Sequence, residues 1–234
     1  MLNVYGTVGS TSNKGGIEAK AGTINVYEGA KINGYKTTTH TANNNGCSTT
    51  GYAIAVVNNS AYAGGVKVNI DNLTGEFNYK LGIIDDDEVA ADKKGSITIT
   101  NGYFKSYTPD AAFIAAGKKL VKGKASSVVV DDNTPIVASI GNYDYVDINK
   151  AVTDWTSGTL ILKADVEAVC TSINGKTKTL DLNGHQWKAI YSEKQNGYTC
   201  AFQIFTSSTS KLTINDSKGG GSIVGDDKMT EAIW

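Results

Sequence analysis

The chain has 234 residues, 40% of them hydrophobic, and a formal net charge of −1. That apolar share is enough for a buried core and excludes a disordered chain. All 22 basic residues are lysines, and a near-neutral chain without the guanidinium fork is not expected to bind nucleic acid or other polyanions.

No apolar run is long enough for a membrane span, so membrane insertion is not expected, and no secretory signal opens the chain. Leu2-Asn3-Val4-Tyr5-Gly6 already reads as a strand, and Thr230-Glu231-Ala232-Ile233-Trp234 reads as the start of another. The expectation is a fragment of a larger secreted protein, with a phage structural protein as the alternative. The 26 glycines and 2 prolines, set among many Thr, Ser and Asn, suit short strands joined by tight turns.

In chain order, Thr23-Ile24-Asn25-Val26, Val66-Lys67-Val68-Asn69-Ile70 and Ile97-Thr98-Ile99 alternate apolar and polar residues, as half-buried strands do. Leu180-Asp181-Leu182-Asn183-Gly184 and Leu212-Thr213-Ile214-Asn215-Asp216 repeat the phrase. Asn, Asp or Gly after a core tolerates the left-handed backbone of a sharp bend. Within each segment, intervals of roughly 30 to 45 residues fit coils of a solenoid with loops of varying length. The expected fold is therefore all-β, a right-handed parallel β-helix in two short segments. Ile24, Val26, Val68, Ile70, Ile97, Ile99, Leu180, Leu182, Leu212 and Ile214 should point inward. An antiparallel sandwich is the competing fold, but good hairpin turns are few, Asn33-Gly34 and Asn174-Gly175 being the best.

Between the segments, Asp147 can cap a helix with Ile148, Val152 and Trp155 on one face. Such a helix would plug the open end of a solenoid. The expected division is a first β-helix segment at 1–130, a linker with a short capping helix at 131–157, and the start of a second segment at 158–234.

Gly95-Ser96-Ile97-Thr98-Ile99-Thr100-Asn101-Gly102-Tyr103-Phe104, followed by Pro109-Asp110 and Ala115-Ala116-Gly117, resembles a phrase of large β-helical surface proteins of gut bacteria. There a Gly-Gly-Thr-Phe turn follows the strand; here Asn101-Gly102-Tyr103 departs from it. Thr179-Leu180-Asp181-Leu182-Asn183-Gly184-His185 is similar to the opening coil of those modules, and Asp147–Val152 to their short N-terminal helix. The resemblance implies a fold and an adhesin-like setting, not an activity.

Candidates for chemistry are sparse. His40 and His185 are the only histidines, and neither sits in a recognisable nucleophile motif. The run Asp85-Asp86-Asp87-Glu88 is a weak calcium candidate, lacking the spacing of a dedicated calcium loop. No cofactor is expected and no catalytic residue stands out. Cys47, Cys170 and Cys200 leave one thiol over; a Cys170–Cys200 bridge and two buried free thiols both remain open.

Binding is the remaining route, through Tyr and Trp with their apolar faces and polar edges. Trp187, Tyr191 and Tyr198, with Tyr103 and Tyr107, fall at turns or in loops and are the candidate ligand-binding residues. The expected function is a non-enzymatic extracellular or cell-surface module, structural or adhesive, facing glycans or surface proteins. Alternatives are a phage fibre or other virion component, as a homotrimer, and a β-helical polysaccharide lyase or hydrolase.

Overall fold

The computed structural model describes residues 1–9, 14–43, 46–62, 64–86, 88–192, 200–204 and 209–233. The protein is mostly β, with one short α-helix among the described residues. It divides into two compact units, Met1–Asn133 and Thr134–Trp234.

In the first unit Leu2–Val4, Gly22–Val26, Val66–Asn78 and Ser96–Lys105 pair in parallel. Their register stacks Val4, Val26, Ile70 and Ile99 in one file and Ile24, Val68 and Ile97 in the next. All seven side chains are buried, because equal offsets place the same face of each strand inward. A second parallel set joins Thr7–Gly9 and Lys31–Asn33 to the far half of Val66–Asn78. There Ile32 lies beside Phe77, whose ring stacks on Phe104 at 5.1 Å. A third joins Ile17–Ala19, Ile54–Asn58 and Leu81–Asp85.

The outward face of this unit repeats as regularly as its core. Asn25 donates its side-chain amide to Asn3 at 3.0 Å, and Asn69 donates to Asn25 at 2.9 Å. Such files of identical amides satisfy one another only when strands stack in register.

Pairing is not parallel throughout. Ser126–Asp131 and Lys118–Lys122 extend the largest sheet antiparallel, and Thr39–Asn43 forms a hairpin with Gly46–Thr50. The sheets are therefore mixed, and the expectation of uniformly parallel coils is corrected at these edges. Neither hairpin candidate closes one: Lys31–Asn33 pairs in parallel on both sides, and the strands flanking Asn174-Gly175 pair with other strands.

The second unit opens with Ala138–Ile140, antiparallel to both Tyr143–Tyr145 and Gly158–Leu162. Residues 134–157, which include the helix expected within 131–157, belong to this unit. The helix forms where its cap and apolar spacing place it, at Ile148–Asp154, with the Asp147 carboxylate accepting from the Asn149 amide at 2.8 Å. It buries Ile148 and Ala151, and Trp155, the residue that caps its C-terminus, is buried as well.

Three parallel ladders follow: Gly158–Leu162 with Thr177–Asp181 and Lys211–Asn215, Val166–Ala168 with Gln186–Ala189 and Ser222–Gly225, and Thr171–Ile173 with Cys200–Ile204 and Glu231–Ile233. At the bend after Leu182, Asn183 and Gly184 take the left-handed backbone, φ 51° and 82°, as their sequence predicts. The Asn183 amide then reaches back to the Leu162 carbonyl at 2.8 Å. Leu180 and Leu182 are buried, but Leu212 is only half-buried and Ile214 is 36% exposed. Their strand is outermost in its ladder, so no further rung covers the inward expectation for these two.

Candidate functional site

Trp187 is fully buried, against the expectation of an exposed platform. Gln186–Ala189 alternates, with Trp187 and Ala189 inward and Gln186 and Lys188 half-exposed. The register sets Trp187 between Val166 and Ile223, and its ring lies 5.0 Å from that of Phe202. The indole is core, and its buried N–H finds no partner among the described residues.

The other aromatic candidates disperse. Tyr191 is half-buried, with the Lys228 ammonium 5.0 Å over its ring, so one ring face is already engaged. Its backbone amide donates to Asp226 at 2.7 Å, which holds that carboxyl below the usual range. Tyr198 lies outside the described residues. Tyr103 is half-buried on Ser96–Lys105, paired across to Val128. Tyr107 packs against the first unit's core, edge-on to Phe104 at 6.3 Å, and its hydroxyl donates to the Leu81 carbonyl at 3.2 Å. Burial pushes that phenol up to about 12.

Tyr107 lines an open groove of about 380 Å³. The groove is walled mainly by hydroxyls from Ser106, Thr108, Ser126 and Ser127, with Lys124 at its side. Thr108 and Ser127 hydrogen-bond each other at 3.1 Å. It offers polar contacts to a neutral ligand and carries no acid or histidine.

Aromatic exposure lies elsewhere. Tyr5 and Tyr27 follow the paired residues Val4 and Val26, so the ladder brings their rings face to face, 4.6 Å apart and 7° from parallel. They are 65% and 36% exposed. Sequence reasoning passed over them because neither stands out until the register is known.

The acidic run is held by its neighbours. Asp85 accepts from the Asn58 amide and the Lys94 ammonium, each at 2.7 Å, and these bonds lower its pKa. Asp86 accepts from Asn59 at 3.2 Å. Asp87 lies outside the described residues, and Glu88 is exposed. Among the described residues no three His, Cys, Asp or Glu side chains gather as a metal site requires.

The histidines fall in different units. His40 is exposed on the hairpin strand Thr39–Asn43, opposite Thr49. His185 lies 3.5 Å from Asp165, which also accepts from the Gln186 amide at 2.9 Å. These contacts brace the bend at His185. Cys47, on the hairpin strand Gly46–Thr50, is buried beside Tyr52 and Val57. The Cys170 and Cys200 sulfurs are 3.1 Å apart as thiols, and burial, reinforced by Cys200, raises the Cys170 pKa to about 12.

One residue that sequence reasoning missed is Lys178, buried on the inward face of Thr177–Asp181. The alternation of Leu180 and Leu182, carried back two residues, would have found it. Comparison of the chain with protein-family models, with curated proteins and with solved structures returns no match.

Proposed function

We propose that both units are short right-handed parallel β-helices and that the chain serves as a non-enzymatic, extracellular scaffold of a surface or adhesin-type protein. The supporting observation is the repeated register: the buried file Val4, Val26, Ile70, Ile99 inside and the amide file Asn3, Asn25, Asn69 outside. Stacked coils produce both files at once, and a backbone braced on both faces makes a stiff spacer. The helix Ile148–Asp154, before the three ladders of the second unit, suits the role of a cap.

Direct binding, in this reading, is weak and uses exposed aromatics and hydroxyls on lateral turns. Tyr5 and Tyr27 replace Trp187 as the aromatic face, and the groove beside Tyr107 supplies the polar contacts. Many such modules displayed together would add shallow contacts into useful avidity.

Incubation with neutral and acidic polysaccharides, read for new reducing or unsaturated ends, tests the non-enzymatic part. No product is expected; steady depolymerisation would overturn it. A glycan array comparing the native chain with Tyr5→Ala/Tyr27→Ala tests the adhesive part, and unchanged strong binding by the double variant would refute the aromatic face.

A further inference from the structure

Lys178 occupies a position that apolar residues hold elsewhere. In Thr177–Asp181 it shares the inward face with Leu180, and its ladder neighbours are Gly158 and Leu212. It is only 7% exposed. Its ammonium stands 4.9 Å over the Trp155 ring, while the indole N–H donates to the Gly158 carbonyl at 3.0 Å. Among the described residues it has no hydrogen-bond or ion-pair partner. Burial lowers its pKa, and the one charged group that adds to the shift is another cation, Lys176.

A largely buried lysine with no counter-charge among the described residues is costly, and where it lines a cleft it marks a candidate site. Lys178 lines such a cleft, of about 200 Å³, between the helix Ile148–Asp154 and the start of Thr171–Ile173. The cleft is lined besides by the polar residues Asn149, Thr153, Thr171 and Ser172 and by Val152, Val169 and Cys170. The Thr153 hydroxyl donates to the Asn149 carbonyl at 2.8 Å, which leaves its oxygen able to accept. At about 30 Å³ per water, the cleft has room for one sugar-sized molecule.

We propose that this cleft is a subsite for a small hydroxylated monocarboxylate, a sugar acid in size and chemistry, with Lys178 as the counter-charge to its carboxylate. One ammonium matches one negative charge, and the aromatic face of Trp155 behind it screens the pair from water. The rim of amide and hydroxyl groups suits the ligand's hydroxyls. The subsite is independent of the scaffold reading, since it uses neither the stacked files nor the Tyr5–Tyr27 face.

The test is titration of the full chain with sodium glucuronate, with glucose as the neutral counterpart at matched ionic strength, followed by backbone amide NMR. Glucuronate should shift the signals of Thr153, Ser172 and Lys178, with glucose weaker by roughly tenfold or more. Lys178→Met should abolish the difference between the two ligands. Should that variant fail to fold, Ser172→Trp, at an exposed rim position, fills the cleft and should abolish binding on its own. Equal binding of glucose and glucuronate, no shifts with either, or full binding by a folded Lys178→Met or Ser172→Trp overturns the assignment.

Discussion

Replacing Lys178 by methionine is expected to stabilise the second unit, although it removes a large buried side chain's polar head. Methionine keeps the length and flexibility of the stem and fills the same space against Trp155. What goes is the ammonium of a residue that is 7% exposed, with no carboxylate partner among the described residues. Relief of that desolvation is worth about 2 kcal/mol, taken from the range for buried polar groups in proteins. Against it stands the cation–π contact with Trp155 at 4.9 Å, about 1 kcal/mol at a partly desolvated site. The net gain is about 1 kcal/mol, or roughly 4–8 °C in Tm for a unit of this size. Urea or thermal unfolding at neutral pH measures it directly. The pH dependence gives a second reading. Burial lowers the Lys178 pKa from 10.5, so the unfolded chain holds this proton more tightly than the folded one. Below the folded value both states are charged and the full penalty stands. As pH rises from there towards 10.5, the folded amine becomes neutral first and the penalty is relieved. The native chain should therefore gain stability across that window relative to Lys178→Met, and the gap between them should close. A variant destabilised by more than about 1 kcal/mol, or a gap that ignores pH, would refute the reasoning.

Trp187→Ala should cost about 3–5 kcal/mol by opening a large cavity; near-native stability in calorimetry would contradict its place beside Phe202. Oxidation by glutathione disulfide should join Cys170 to Cys200 with release of two glutathione thiols, leaving Cys47 as the remaining free thiol in a denatured thiol titration. Closing that loop of about 30 residues should add roughly 3–4 kcal/mol, and a mixed-disulfide adduct in place of the bridge would count against it. Asp85 has a lowered pKa from Asn58 and Lys94, so its contribution is present above the ordinary value of 3.8 and lost as pH falls through the folded one. Asp85→Asn should flatten that part of the acid melting curve, and chelator should leave Tm within about 2 °C at neutral pH; a large chelator effect would restore calcium to the acidic run.

The sequence by itself determined the strand cores and the helix. Alternation at Ile24-Asn25-Val26 and Leu180-Asp181-Leu182 needs only the two-residue period of an extended chain, and Asp147 caps Ile148–Asp154 through a contact two residues away. These signals are local, so they survive without knowledge of neighbours. Tertiary structure decided which strands became outer rungs, leaving Ile214 exposed while Leu180, in register with it, is buried. It also decided that Trp187 turned inward between polar Gln186 and Lys188, and that Tyr5 met Tyr27 across 22 residues of chain. The physical reason is that ladder register depends on loops of unequal length, and a shift of one residue would exchange the two faces of a strand. The Lys178 cleft belongs to both: the alternation is written in Thr177-Lys178-Thr179-Leu180, but the ring of Trp155 that receives the lysine arrives from a helix more than twenty residues earlier.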